Sequence, residues 1–151
     1  MSINYIALPV DDEIRCWGRE LGLALPSELP AGRYPSTPEL LDAMESLAGH
    51  EITNRKLDDP FNLAMESLER VPVDAMPPFP NTDAAASLLT VSGHLDPDAP
   101  RKLISLHGDY DLIVRLLQQL TSTCGPLCFC ADCDGQPIFV ISAESEPIGP
   151  V

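Results

Sequence analysis

Apolar positions along this chain recur in two rhythms, one of period two and one of period three to four, and the change from one to the other predicts the elements. INYIALP near the start predicts a strand. A helix follows, with Asp11 or Asp12 as its cap, Ile14, Trp17 and Leu21 as its apolar stripe, and Gly22 as its end. Prolines 26, 30, 35 and 38 then mark a loop over 24–36. STPELLDAMESLAG predicts a second helix: Ser36 or Thr37 caps it, Pro38 suits the first turn, and Glu39 sits at the positive end of the dipole. Its inner face is Leu40, Leu41, Met44 and Leu47, and Gly49 ends it.

Residues 51–57, EITNRKL, predict a short strand or extended connection. DDPFNLAMESLER predicts a third helix, with Asp59 as cap and Pro60 in the first turn. The tetrapeptide MESL occurs at 44–47 and again at 65–68, too few copies for a repeat array and consistent with shared helix-forming composition. VPVDAMPPFPNTDAAA, residues 71–86, holds four prolines and few core candidates, and predicts a linker.

Beyond it the order becomes strand, strand, helix, strand, strand. SLLTVSG (87–93) and RKLISLH (101–107) flank the turn-rich HLDPDAP. Asp109 caps a helix with an inward stripe of Leu112, Ile113, Leu116, Leu117 and Leu120, ended by Cys124 and Gly125. PLCFCA and QPIFVIS are joined through Asp132-Cys133-Asp134-Gly135, and an Asp-Gly step between apolar runs signals a hairpin. The expected fold class is α+β: an N-terminal strand and helices, then a C-terminal antiparallel ββαββ sheet with one packed helix. The 151 residues suit one domain, with possible subdomains 1–70, mainly helical, and 87–142, joined by 71–86.

Charge narrows the function classes. With 23 acidic and 9 basic residues the net charge is −14. Residues 1–75 carry 14 acids and 6 bases, and residues 76–151 carry 9 and 3, so the excess runs the whole length. Nucleic acid and anionic membrane are poor partners for such a surface, and a basic protein is a good one. No apolar run approaches the roughly 18 residues of a membrane helix. The N-terminus has no basic segment ahead of an apolar one, so the expected compartment is the cytoplasm, where thiols stay reduced.

Four of the five cysteines fall in CGPLCFCADCDG, residues 124–135. On a strand, Leu127, Phe129 and Ala131 take one face and Cys128 and Cys130 the other. Both faces are then apolar, as an inner strand covered on both sides requires, and unpaired cysteine is among the most buried residue types. The competing reading is a zinc site or thiol centre built on Cys124, Cys128, Cys130 and Cys133, with one of His50, His94 or His107. Only Cys130 and Cys133 have C-x-x-C spacing, no second pair lies elsewhere, and strand alternation aims Cys128 and Cys130 away from a zinc knuckle. A reactive C-x-x-C also needs a helix N-terminus, whereas this one enters a turn. Each histidine sits beside a glycine at the end of an element, where turn and cap roles are usual. G-x-S-x-G, Walker A, H-E-x-x-H and the zinc deaminase signature are absent. The chain is accordingly expected to be non-enzymatic and to carry no cofactor.

Three Asp-x-Asp pairs remain: Asp96 with Asp98, Asp109 with Asp111, and Asp132 with Asp134. Antiparallel order sends the first to one end of the sheet and brings Asp109, Tyr110, Asp111, Asp132 and Asp134 to the other. The calcium-loop template fails, because Ile141 falls where its bidentate glutamate belongs. Each aspartate has a local use as cap or turn residue, and together they also offer an acidic face with Tyr110 as anchor.

The C-terminal run HGDYDLIVRLLQQLTSTCGPLCFCADCDGQPIFV, in a small acidic α+β chain, resembles the immunity proteins that bacteria carry against interbacterial toxins. The resemblance spans roughly residues 88–141 and rests on architecture and charge. It implies a protein that binds a cognate toxin, often a basic nuclease, and blocks it. The five residues Asp109, Tyr110, Asp111, Asp132 and Asp134 are the expected contact surface.

Overall fold

The structure, a computed structural model, describes residues 4–73, 82–131 and 135–149. The chain is α+β, and its described residues form three helices, a seven-stranded antiparallel sheet and a two-stranded ribbon. In chain order the elements are β1 (Asn4–Pro9), α1 (Asp12–Glu20), α2 (Thr37–Glu45), β2 (His50–Lys56), β3 (Phe61–Ser67) and β4 (Arg70–Val73), followed by β5 (Thr82–Ala85), β6 (Leu88–His94), β7 (Leu103–Gly108), α3 (Tyr110–Cys124), β8 (Leu127–Ala131) and β9 (Ile138–Val140). The large sheet runs β2-β3-β6-β7-β1-β8-β9, so strands from both halves of the chain share it. No described helix is long and apolar enough to cross a membrane.

The helix ends follow local chemistry. The Asp11 carboxylate accepts from the Ile14 amide at 2.8 Å and starts α1. Its stripe is only partly used: Ile14 packs against the sheet, while Leu21 is exposed. Ser36 and Glu39 form a reciprocal capping box on α2, and Leu40, Met44 and Leu47 are buried beneath it. The predicted stripe of α3 is buried throughout, and Gly125 at φ +78° closes the helix.

Residues 61–67 overturn the predicted third helix. Phe61, Leu63, Met65 and Ser67 are buried while the residues between them are partly exposed, and the segment pairs with both β2 and β6. Asp59 caps no helix. Its carboxylate accepts from the Leu95 amide at 3.2 Å and lies 3.1 Å from Nδ1 of His94. The predicted linker is also different at its ends, where β4 pairs with β5 and continues the β3-β6 hairpin as a two-stranded arm. Residues 74–81 lie outside the described residues.

The core has two parts, one on each face of the sheet. α2 and α3 cover the inner face, where Leu40, Met44, Phe61, Leu63, Met65, Leu89, Val91, Leu106, the α3 stripe and Phe129 meet. On the outer face, Ile14 of α1 and the 23–29 segment cover β1, β8 and β9 around Val10, Cys128 and Phe139. On the outer face of β3, β6 and β7 the small side chains of Asn62, Ala64, Thr90, Ser92 and Ser105 stay partly exposed beside the larger Glu66, Leu88, His94, Leu103 and His107. Where β6 meets β7, Gly93 and Gly108 have φ +143° and +145°, and a side chain at either would run into the carbonyl oxygen of Leu103 or Leu88.

Candidate functional site

β7 ends at Gly108, and the chain turns at once into α3 because Asp109 is extended and its carboxylate accepts from the Leu112 amide at 3.3 Å. The position of this turn in the sheet follows from the register of β1. Asn4 pairs with His107 on one side, and Tyr5 pairs with Ala131, the last residue of β8, on the other. The structure thus brings Asp109, Tyr110 and Asp111 to the end of the sheet at which β8 finishes. Asp132 and Asp134 lie outside the described residues. Asp96 and Asp98 follow β6 at the opposite end, where Oδ1 of Asp96 accepts from the Asp98 amide at 2.8 Å.

Tyr110 is 41% exposed, yet its ring is held. The centroid lies 5.7 Å from that of Phe129, which is fully buried and packs edge-on against Tyr5 at 5.5 Å. Burial pushes the Tyr110 phenol above its ordinary range, so the ring is neutral at physiological pH. Beside it opens a shallow cavity of about 510 Å³ lined by Tyr110, Gln136, Ile138, Pro147 and Gly149. A second, of about 390 Å³, lies on the other side of Asp109, which lines it with Leu88, Thr90 and His107.

The charges at this end are unbalanced. Among the described residues, arginines pair with Asp12, Glu39, Glu45, Glu51 and Glu66, and none pairs with Asp109 or Asp111. A half-exposed aromatic ring on a rigid support, flanked by carboxylates without cations, suits a cationic surface carrying an apolar or aromatic side chain.

The cysteines are divided by the sheet. Cys124 is buried in the inner cluster with Phe129, and Cys128 is buried in the outer one with Val10 and Phe139. The alternative ligand set of Cys124, Cys128, Cys130 and Cys133 therefore has two of its members on opposite faces. Cys133 lies outside the described residues, and among those described no three His, Cys, Asp or Glu side chains cluster as metal ligands. Burial pushes the Cys128 thiol up to about 12 and raises that of Cys124, so both are protonated at neutral pH, the unreactive form of a thiol.

Two features had no sequence signal. A cleft of about 640 Å³ lies between the start of α2 and the loops at 57–59 and 95–102. At its wall Arg33 forms a bidentate pair with Glu39, at 2.9 and 2.8 Å, across six residues of loop and helix. The cleft also receives Asp59, whose carboxylate orients His94 as a general base would be oriented, although that bond is the one His94 makes among the described side chains. Nδ1 of His50 bonds to the Ala48 carbonyl at 2.9 Å and its Nε2 lies 3.5 Å from Oγ of Ser87, while His107 meets Oδ1 of Asn4 on the neighbouring strand at 2.7 Å. Comparison with protein-family models, curated proteins and solved structures finds no match to this chain.

Proposed function

We propose that this chain is a non-enzymatic protein-binding module that neutralises a basic partner, in the manner of an immunity or inhibitor protein, by docking the end of its sheet against it. The observation that carries the reading is Tyr110, supported on Phe129 at the mouth of a cavity and flanked by Asp109 and Asp111, neither of which pairs with a described cation. The net charge of −14 adds long-range attraction for a cationic protein and speeds encounter. The raised thiols support this reading over a thiol enzyme, because catalysis through cysteine needs the thiolate.

The test begins with native mass spectrometry at low salt on protein isolated from its source cells, to identify any bound basic protein. Its affinity is then measured for the wild type, for Asp109→Lys with Asp111→Lys, and for Tyr110→Ala. Truncating an interface anchor costs about 2 kcal/mol or more, roughly thirtyfold in Kd, and the double reversal is expected to slow association with a steep salt dependence. An affinity unchanged in both variants removes this surface from the reading.

A further inference from the structure

Seven large apolar side chains stand out from the described surface, and one of them, Leu88 at the base of the β4-β5 arm, lines a concavity. Leu68 is 58% and Leu88 54% exposed, more than any of the other five. Scattered singly such residues mean little, but one set in the wall of a concavity with an acidic rim marks a contact surface. Here the concavity is the 390 Å³ groove, walled by Ala85 and Leu88 from the arm side and by Thr90, His107 and Asp109 from the sheet. Its floor is the outer face where Thr90 of β6 pairs with His107 of β7.

Charge decides what fits. Glu66 lies opposite Leu88 in the register, Glu51 lies opposite Glu66, and Asp109 stands on the other rim. The cation among them, Arg70, is held by Glu66 at 2.8 Å and Glu51 at 3.6 Å, and one arginine between two glutamates leaves the rim negative. A second copy of this chain would bring another −14 to the same place, so self-association is opposed. We infer that the groove between the arm and the open face of β6 and β7 takes an apolar side chain presented by a cationic segment of a partner protein. The inference rests on the proposed function and gives the partner a second contact, beyond Asp109 from Tyr110.

A fluorescently labelled twelve-residue peptide of alternating arginine and leucine serves as the probe. Its Kd is measured at low and at physiological salt against the wild type, Leu88→Ser and Tyr110→Ala, with thermal melts to show that both variants fold, and amide shifts map where it lands. The expected result is at least tenfold weaker binding for Leu88→Ser, with shifts at Leu88, Thr90 and His107. If Tyr110→Ala weakens binding and Leu88→Ser does not, the groove assignment is overturned while the acidic docking reading stands. Binding that neither variant changes, or none at all, overturns both for this class of ligand. Should sedimentation reveal a dimer that Leu88→Ser disperses, the occupant is a second copy and the inference is wrong.

Discussion

Glu39 does two jobs with one carboxylate: it accepts from the Ser36 amide as half of the capping box and holds the guanidinium of Arg33 in a bidentate grip. The Arg33 hydrogen bonds first, and the backbone bond next, hold this carboxyl down to about 2. In the unfolded chain it titrates near its ordinary value of 4.5, so between these values the unfolded state binds the extra proton. The stability contributed by Glu39 is therefore complete above pH 4.5 and is lost as the pH falls toward 2. Urea midpoints measured from pH 6 to pH 2 should fall less steeply for Glu39→Gln than for the wild type. The pair is partly solvated, which keeps the difference modest. Cys128 works in the opposite sense. Its neutral thiol is the favoured form, and in native protein at pH 8 a thiol reagent should modify exposed Cys16 quickly, and Cys124 and Cys128 only at the rate of unfolding. Peptide mapping of the labelled protein by mass spectrometry checks this, and fast labelling of Cys128 would contradict the burial on which its assignment rests.

At the scale of elements, the tetrapeptide MESL gives a controlled comparison. At 44–47 its first two residues close α2, whereas at 65–67 its first three are the last residues of β3. The letters are the same and the partners differ: α2 lies over the sheet, while β3 finds β2 and β6 on its two sides. Helix propensities differ by only tenths of a kcal/mol per residue, and two rows of ladder hydrogen bonds outweigh them. The alternation of Phe61, Leu63 and Met65 was legible as period two, but the Asp-Pro start and the Ala-Met-Glu composition argued for a helix. α2, α3 and the pairing of β8 with β9 were legible because their caps, stripes and apolar runs are local, while residues 132–134 of the predicted turn lie outside the described residues. The arm was not, since Pro72 is a poor strand signal, although an edge ribbon tolerates it. Pairing between β6 and β7 depends on a further local feature. Gly93→Ala should cost at least about 3 kcal/mol in urea unfolding, because a non-glycine residue there meets both an unfavourable φ and the Leu103 carbonyl. A near-neutral substitution would mean that the strands separate more readily than their register implies.

Across the whole molecule, the sequence carries the charge and the adjacency of Asp109, Tyr110 and Asp111, and those parts of the candidate site were readable. The support beneath Tyr110 was not, since Phe129 is 19 residues away in the chain and reaches it only through β8's place in the sheet. The groove beside Leu88 was hidden for the same reason, since its walls come from an arm and a strand pair that no local pattern joins. That dependence on distant partners is greatest for β1, which lies between β7 and β8 although it is made first. Its partners are His107 for Asn4 and Ala131 for Tyr5, separated by more than a hundred residues. During synthesis, then, β1 leaves the ribosome with both of its hydrogen-bonding edges vacant, and one waits for β7 and the other for β8. Such pairing is slow, in the range of milliseconds to seconds for sheets dominated by distant contacts. A nascent chain cut short before residue 131 keeps one flank of β1 bare, a template for aggregation that chaperones must shield.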